Sequence, residues 1–169
     1  MIGYFFTGLI GSIIGVCASF GIVLLKEHIE AQACIKAIRT ELKSLYNICK
    51  EIFDKEITDD EKPLMLSYPL DTDYFTIFNN NSCKIGKFPD DYERELIVTI
   101  YNQAKFFLDC LRTNNRAIEY FEDVQNGKYN NEYELHYENA LNNLRYSKNN
   151  NILPAYKKLI GLLEQLILP

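Results

Sequence analysis

The first 25 residues, MIGYFFTGLIGSIIGVCASFGIVLL, carry no charged side chain. Directly after them apolar positions recur at alternating steps of four and three: Ala31, Ile35, Ile38, Leu42, Leu45, Cys49 and Ile52. That spacing is the seam of a helix packed lengthwise on another helix. Glu30, Lys36, Arg39, Glu41, Lys43 and Lys50 fill the intervening positions, and neither Gly nor Pro interrupts Ile22 to Lys62. The pattern therefore predicts one helix that starts in the apolar run and reaches about Ile57.

Thr58 to Thr72, with Pro63 and Pro69, reads as a loop. Asp71 or Asp73 is a candidate cap for a short helix from Tyr74 to Phe78, ended by Asn79-Asn80-Asn81. Ser82 to Phe88 is a second connection, with a turn at Gly86. Pro89 then opens a long helix, and Asp90, Asp91 and Glu93 suit its positive end. Its stripe of Leu96, Ile97, Ile100, Ala104, Phe107, Leu108 and Leu111 extends through Ile118, Phe121 and Val124 to a stop at Gly127. Thr113-Asn114-Asn115 is a candidate kink or break. Asn130 or Asn131 begins a further helix, with Leu135, Ala140, Leu141 and Leu144, ending near Lys148. Asn149 to Asn151 reads as a turn, and Pro154 starts the last helix. No segment alternates with period two, so the expected fold is all-α: a membrane helix at 1–25 and a helical bundle at 26–169.

A helix over the first 25 residues would be about 37 Å long, enough for a bilayer core. A cleaved signal peptide would begin with basic residues, and none is present. No Lys or Arg precedes the run, whereas Lys26, Lys36, Arg39 and Lys43 follow it. The positive-inside rule then puts the N-terminus outside a bacterial inner membrane and the bundle in the cytoplasm. Gly8, Gly11 (or Ser12), Gly15 and Ala18 recur every three or four residues, and Gly11 and Gly15 form a G-x-x-x-G pair. Small residues let helices approach closely in lipid, so the expected partners are the bilayer and further copies of the chain. Thr7, Ser12 and Ser19 are the candidate polar lining should such an assembly enclose a pore.

The charge of -5 resides wholly in the bundle and argues against direct nucleic-acid binding. The five cysteines (Cys17, Cys34, Cys49, Cys83, Cys110) include no C-x-x-C pair and read as reduced apolar residues. With His28 and His136 as the two histidines, no metal site, cofactor site or catalytic nucleophile–base pair is expected. Arg112 and Arg116 share a helix face and are a candidate anion site, with Asp109 and Glu119 placed to neutralise them. Tyr129, Tyr133, Tyr137 and Tyr146 crowd the penultimate helix, where tyrosine suits either a core edge or a protein interface.

A glycine-rich N-terminal span, a long continuous helix and a helical domain with a polar turn before its last helix resemble the membrane accessory proteins of type VI-B CRISPR systems. The resemblance implies a HEPN-like helical domain, an oligomeric pore or membrane effector that strengthens antiphage defence, and a CRISPR effector or other cytosolic protein as partner. HEPN nucleases carry Arg, four to six residues, then His. Here Arg145 is followed at that spacing by Asn150, Asn151 and Ile152. The resemblance therefore implies a degenerate position at Arg145, Asn150 and Asn151, and no ribonuclease activity. The competing expectation is a membrane-tethered module that recruits a cytosolic protein through its tyrosine-rich surface.

Overall fold

The computed structural model describes the backbone of residues 2–58, 62–68, 75–129 and 132–168, with side chains from Ile14 onward except at Thr58 and Cys83. Every regular element in that range is helical: α1 (Ile2–Ile48), α2 (Asp54–Thr58), α3 (Thr76–Asn81), α4 (Asp91–Gln125), α5 (Tyr133–Tyr146) and α6 (Leu153–Ile167). The all-α helical bundle is what the structure shows.

α1 and α2 form one continuous rod, joined by a π-helical turn at Cys49–Phe53. The rod's buried face is Ala31, Cys34, Ile35, Ile38, Leu42 and Cys49, continued by Phe53 and Ile57. Ile52, expected on that seam, is 37% exposed, because the wide turn carries the face to Phe53. A side chain of α6 meets this turn. The phenol of Tyr156 on α6 reaches it, 2.9 Å from Asp54 Oδ1 and 3.4 Å from the Cys49 carbonyl.

α4 is an unbroken helix of 35 residues, about 52 Å long. Asp90 caps it by accepting the Tyr92 N–H at 2.9 Å. Gly127, at φ 79°, ends it. Gly127 N–H donates to Val124 O and Lys128 N–H to Asp123 O, the paired bonds of a Schellman stop. The candidate break at Thr113-Asn114-Asn115 does not occur. Asn114 Nδ2 donates to the Leu64 carbonyl at 3.0 Å, and Asn115 bonds both the N–H (3.3 Å) and the carbonyl (2.8 Å) of Tyr68. These amides are spent on the loop at 62–68, so they do not compete with the helix's own backbone.

The expected turn at Asn149–Asn151 is also absent. Ser147–Ile152 is a second π-helical turn that makes α5 and α6 one continuous bent rod. Leu153 N–H reaches back five residues to Lys148 O. In a regular helix the ring of Pro154 would collide with the carbonyl four residues earlier, at Asn150; the wider turn relieves that collision. The short helix after the loop is Thr76–Asn81 rather than Tyr74–Phe78, and the candidate caps Asp71 and Asp73 lie outside the described residues. Instead, Glu41 of α1 accepts the N–H groups of Ile77 (3.0 Å) and Phe78 (3.2 Å). The second connection is a 3₁₀ helix, Ser82–Lys87, so Gly86 sits within a helical turn.

The bundle thus has three rods. α4 runs alongside α1 in the same direction, since Glu93 meets Arg39, Tyr101 meets Glu41, and Phe107 meets Phe53. The α5–α6 rod runs back, with Tyr156 at Asp54 and Glu164 3.7 Å from Lys50. The main core lies between α1, α4 and α6, with Ile38, Leu42, Ile97, Ile100, Leu159 and Leu163 sealed from solvent. A smaller core at the far end joins α4 to α5 through Ile118, Phe121, Val124, Ala140 and Leu144. The seam of α1 is therefore packed on helices of the same chain.

Candidate functional site

Three regions bear on function, and the first is the exposed start of α1. From Ile14 to Glu30 no residue is buried, and among the described side chains the first buried position is Ala31. Ile22, Val23, Leu24 and Leu25 follow one another at about 100° per residue and so point in four directions around the helix. Their exposures are 67, 53, 55 and 60%, with no preferred side. Gly15 and Ala18, proposed for helix packing, face open space; a Cβ on Gly15 or Gly21 would meet nothing within 4 Å. Ser19, proposed as pore lining, donates its hydroxyl to Gly15 O at 2.8 Å. That bond satisfies the hydroxyl inside the helix. The side chains of Thr7, Gly8, Gly11 and Ser12 lie outside the described residues. Among the described residues no helix is long and apolar enough to cross a membrane.

The second region is the far end of the α4–α5 hairpin. Tyr120 Oη lies 2.9 Å from His136 Nδ1, and Tyr129 stacks on the imidazole at 4.7 Å between ring centroids. Tyr133 stacks on Tyr137, which leans on Phe121. His136 is thus held by aromatic groups. Tyr137 and Tyr129 are half-buried at the edge of the small core, while Tyr133, Leu135 and Tyr146 stand 42, 54 and 64% exposed. The tyrosines serve both as core edge and as free surface. Arg112 is taken by Asp109 at 3.0 Å, which neutralises half of the candidate anion site.

The third region is the π turn between α5 and α6. Arg145 and Asn150 are exposed and Asn151 is half-buried. Asn150 Nδ2 donates to the Tyr146 carbonyl at 3.3 Å. Ser147, Lys148 and Ile152 of this segment are buried; Lys148 is 1% exposed, and its ammonium donates to the Lys62 carbonyl at 2.6 Å. Sequence reasoning missed it because a lysine in an Asn-rich run looks solvated. The signal was there: Ala140, Leu144, Lys148, Ile152, Tyr156 and Ile160 recur every four residues.

Among the described residues no group of three or more His, Cys, Asp or Glu side chains is placed to hold a metal ion. An apolar cavity between Cys49, Phe53, Tyr68 and Phe107 measures about 30 Å³. That is room for one water-sized molecule, far below a small-molecule site. Cys49 beside it is pushed up to about 12 by burial, so its thiol is inert at neutral pH. No family model, curated protein or solved structure matches the chain.

Proposed function

We propose that this chain is a membrane-anchored helical protein, with residues 1–25 in the bilayer, the bundle on the cytoplasmic side, and copies associating through the small-residue face of the anchor. The observation that carries the reading is the even exposure of Ile22, Val23, Leu24 and Leu25 around the helix. A partner helix covers one face; a lipid environment covers all of them. Consumption of the heptad-like seam within the bundle leaves Gly8, Gly11, Gly15 and Ala18 as the surface for self-association. The internally bonded hydroxyl of Ser19 gives a pore little polar lining, so a pore in this assembly would be gated at an apolar constriction.

The test begins with alkaline carbonate extraction of membranes, which should leave the protein in the pellet. Light scattering of the detergent-solubilised particle, corrected for bound detergent, then gives its mass. A discrete oligomer that falls apart in Gly11→Leu/Gly15→Leu supports self-association through the anchor. A carbonate-resistant monomer sinks self-association and favours the second reading, a tethered module that docks a cytosolic protein on Tyr133, Leu135 and Tyr146. Their exposure at the far end of the bundle is what favours that alternative. Release by carbonate would overturn the anchor itself.

A further inference from the structure

The bundle is acidic overall, yet the end from which the apolar helix emerges is basic. Lys26 follows the apolar run directly, and Lys87, the last residue of the 3₁₀ helix Ser82–Lys87, reaches the same end, with Lys84 one turn before it. Lys87 Nζ lies 3.9 Å from Glu27 Oε2, which pins this helix beside the second residue after Leu25. A 3₁₀ helix has three residues per turn, so Lys84 and Lys87 lie one above the other on a single face. Ile85 and Phe88, both buried, anchor the turn into the core from another side. Arg39, the next cation of α1 with a partner, is committed to Glu93 at 2.6 Å and stands about 21 Å beyond Leu25.

We infer that Lys26, Lys84 and Lys87 form a collar that binds the headgroups of anionic phospholipids and sets the bundle upright on the membrane surface. The inference rests on the anchor reading above and adds a lipid class and a second contact to it. The distances fit. Glu27 is about 3 Å past the end of the apolar run along the helix axis, and the headgroup layer on each side of a bilayer is about 5–7 Å thick. An ammonium 3.9 Å from Glu27 therefore stands among the phosphates. Of the α1 carboxylates near this level, Glu27 already faces Lys87 and Glu30 stands one turn above. Ile29, 59% exposed, places apolar surface at the same depth.

The experiment is amine acylation of the full-length protein reconstituted in vesicles, using a reagent that does not cross the bilayer, with rates read residue by residue by mass spectrometry. Vesicles of phosphatidylcholine are compared with vesicles in which about a third of the lipid is phosphatidylglycerol. Lys84 and Lys87 should react about fivefold more slowly in the anionic vesicles. Lys128, about 50 Å further along α4 than Glu93, should react equally in both. Equal rates at Lys84 and Lys87 in the two vesicles overturn the collar and leave the anchor standing. Failure of the protein to float with either vesicle overturns the anchor, and the collar with it.

Discussion

Tyr101 of α4 donates its phenolic hydrogen to Oε2 of Glu41 on α1, and the same carboxylate accepts the backbone N–H groups of Ile77 and Phe78. One side chain thereby ties the two long helices to the start of α3. The ring of Tyr101 is enclosed by Phe75, edge-on at 5.2 Å, and by Phe78, stacked at 3.7 Å. Tyr156 and Asp54 repeat the device between α6 and the rod of α1 and α2. Glu41 and Asp54 are thus polar joints of the core.

Glu41 is therefore expected to matter more than a half-exposed glutamate normally would. Glu41→Gln keeps the shape but leaves one carbonyl oxygen for three donors. It should lower stability by about 1–3 kcal/mol, with Tyr101→Phe nearer the lower end of that range. Urea unfolding in a fixed detergent checks both. A Glu41→Gln protein as stable as the parent would show that the carboxylate is not the joint.

Asn115 should govern how firmly the loop at 62–68 is held. Its amide pairs with both backbone groups of Tyr68, a match that Asp cannot copy because it has no N–H to give the carbonyl. Asn115→Asp and Asn115→Ala should both speed chymotryptic cleavage at Leu66 by about tenfold, as expected for local opening made easier by one or two hydrogen bonds. Cleavage at sites within α4 should not change. An unchanged rate at Leu66 would mean that the loop is held by its apolar contacts alone.

Much of this fold was legible because helix periodicity survives in the sequence. The stripe of α4 and its stop at Gly127 were readable, since apolar spacing and a left-handed glycine are local signals. What was not legible was what each face packs against. Ala31, Ile35, Ile38 and Leu42 mark a seam equally well whether the partner is another copy or the same chain, and here it is α4 and α6. The two π turns were hidden for a different reason. Steps of four residues (Cys49, Phe53, Ile57, and Leu144, Lys148, Ile152) drift around a regular helix, yet they stay on one face across a wide turn. The polar run Asn149-Asn150-Asn151 and Pro154 are common both at chain reversals and at such bulges, so composition could not separate the two.

Alkaline pH should weaken the fold through groups held protonated in the core. Burial pushes Cys49 up to about 12, against an ordinary 9.0. Burial and their carboxylate partners push the phenols of Tyr101 and Tyr156 above their ordinary range. Below pH 9 the folded and unfolded chains both hold the Cys49 proton, and its contribution is fully present. From pH 9 to 12 only the unfolded chain releases it, so stability falls by about 1.4 kcal/mol per pH unit from this group, and the phenols steepen the fall above pH 10. Cys49→Ala should lower stability at neutral pH through the cavity it leaves, yet show a shallower decline between pH 9 and 10. Parallel declines for the two proteins would show that the Cys49 proton is not linked to folding.

The π turn at Ser147–Ile152 offers the sharpest test of the α5–α6 rod. It sets the phase between Ala140 and Leu144, which fill the small core, and Leu159 and Leu163, which fill the main one. Deleting Asn150 would convert the turn towards ordinary helix and rotate everything beyond it by about 100°. The chain could then bury one set or the other, and Pro154 would meet the carbonyl of the residue four before it. Loss of even one leucine from a sealed core costs about 2–5 kcal/mol, so the deletion should unfold the protein or lower its stability by at least that much. Asn149→Ala and Asn150→Ala, at exposed positions, should each change it by no more than about 0.5 kcal/mol. Thermal unfolding of the three variants in the same detergent separates the cases. A deletion as mild as the point substitutions would mean that the two cores are not locked in phase by this turn, and that α5 and α6 behave as independent helices.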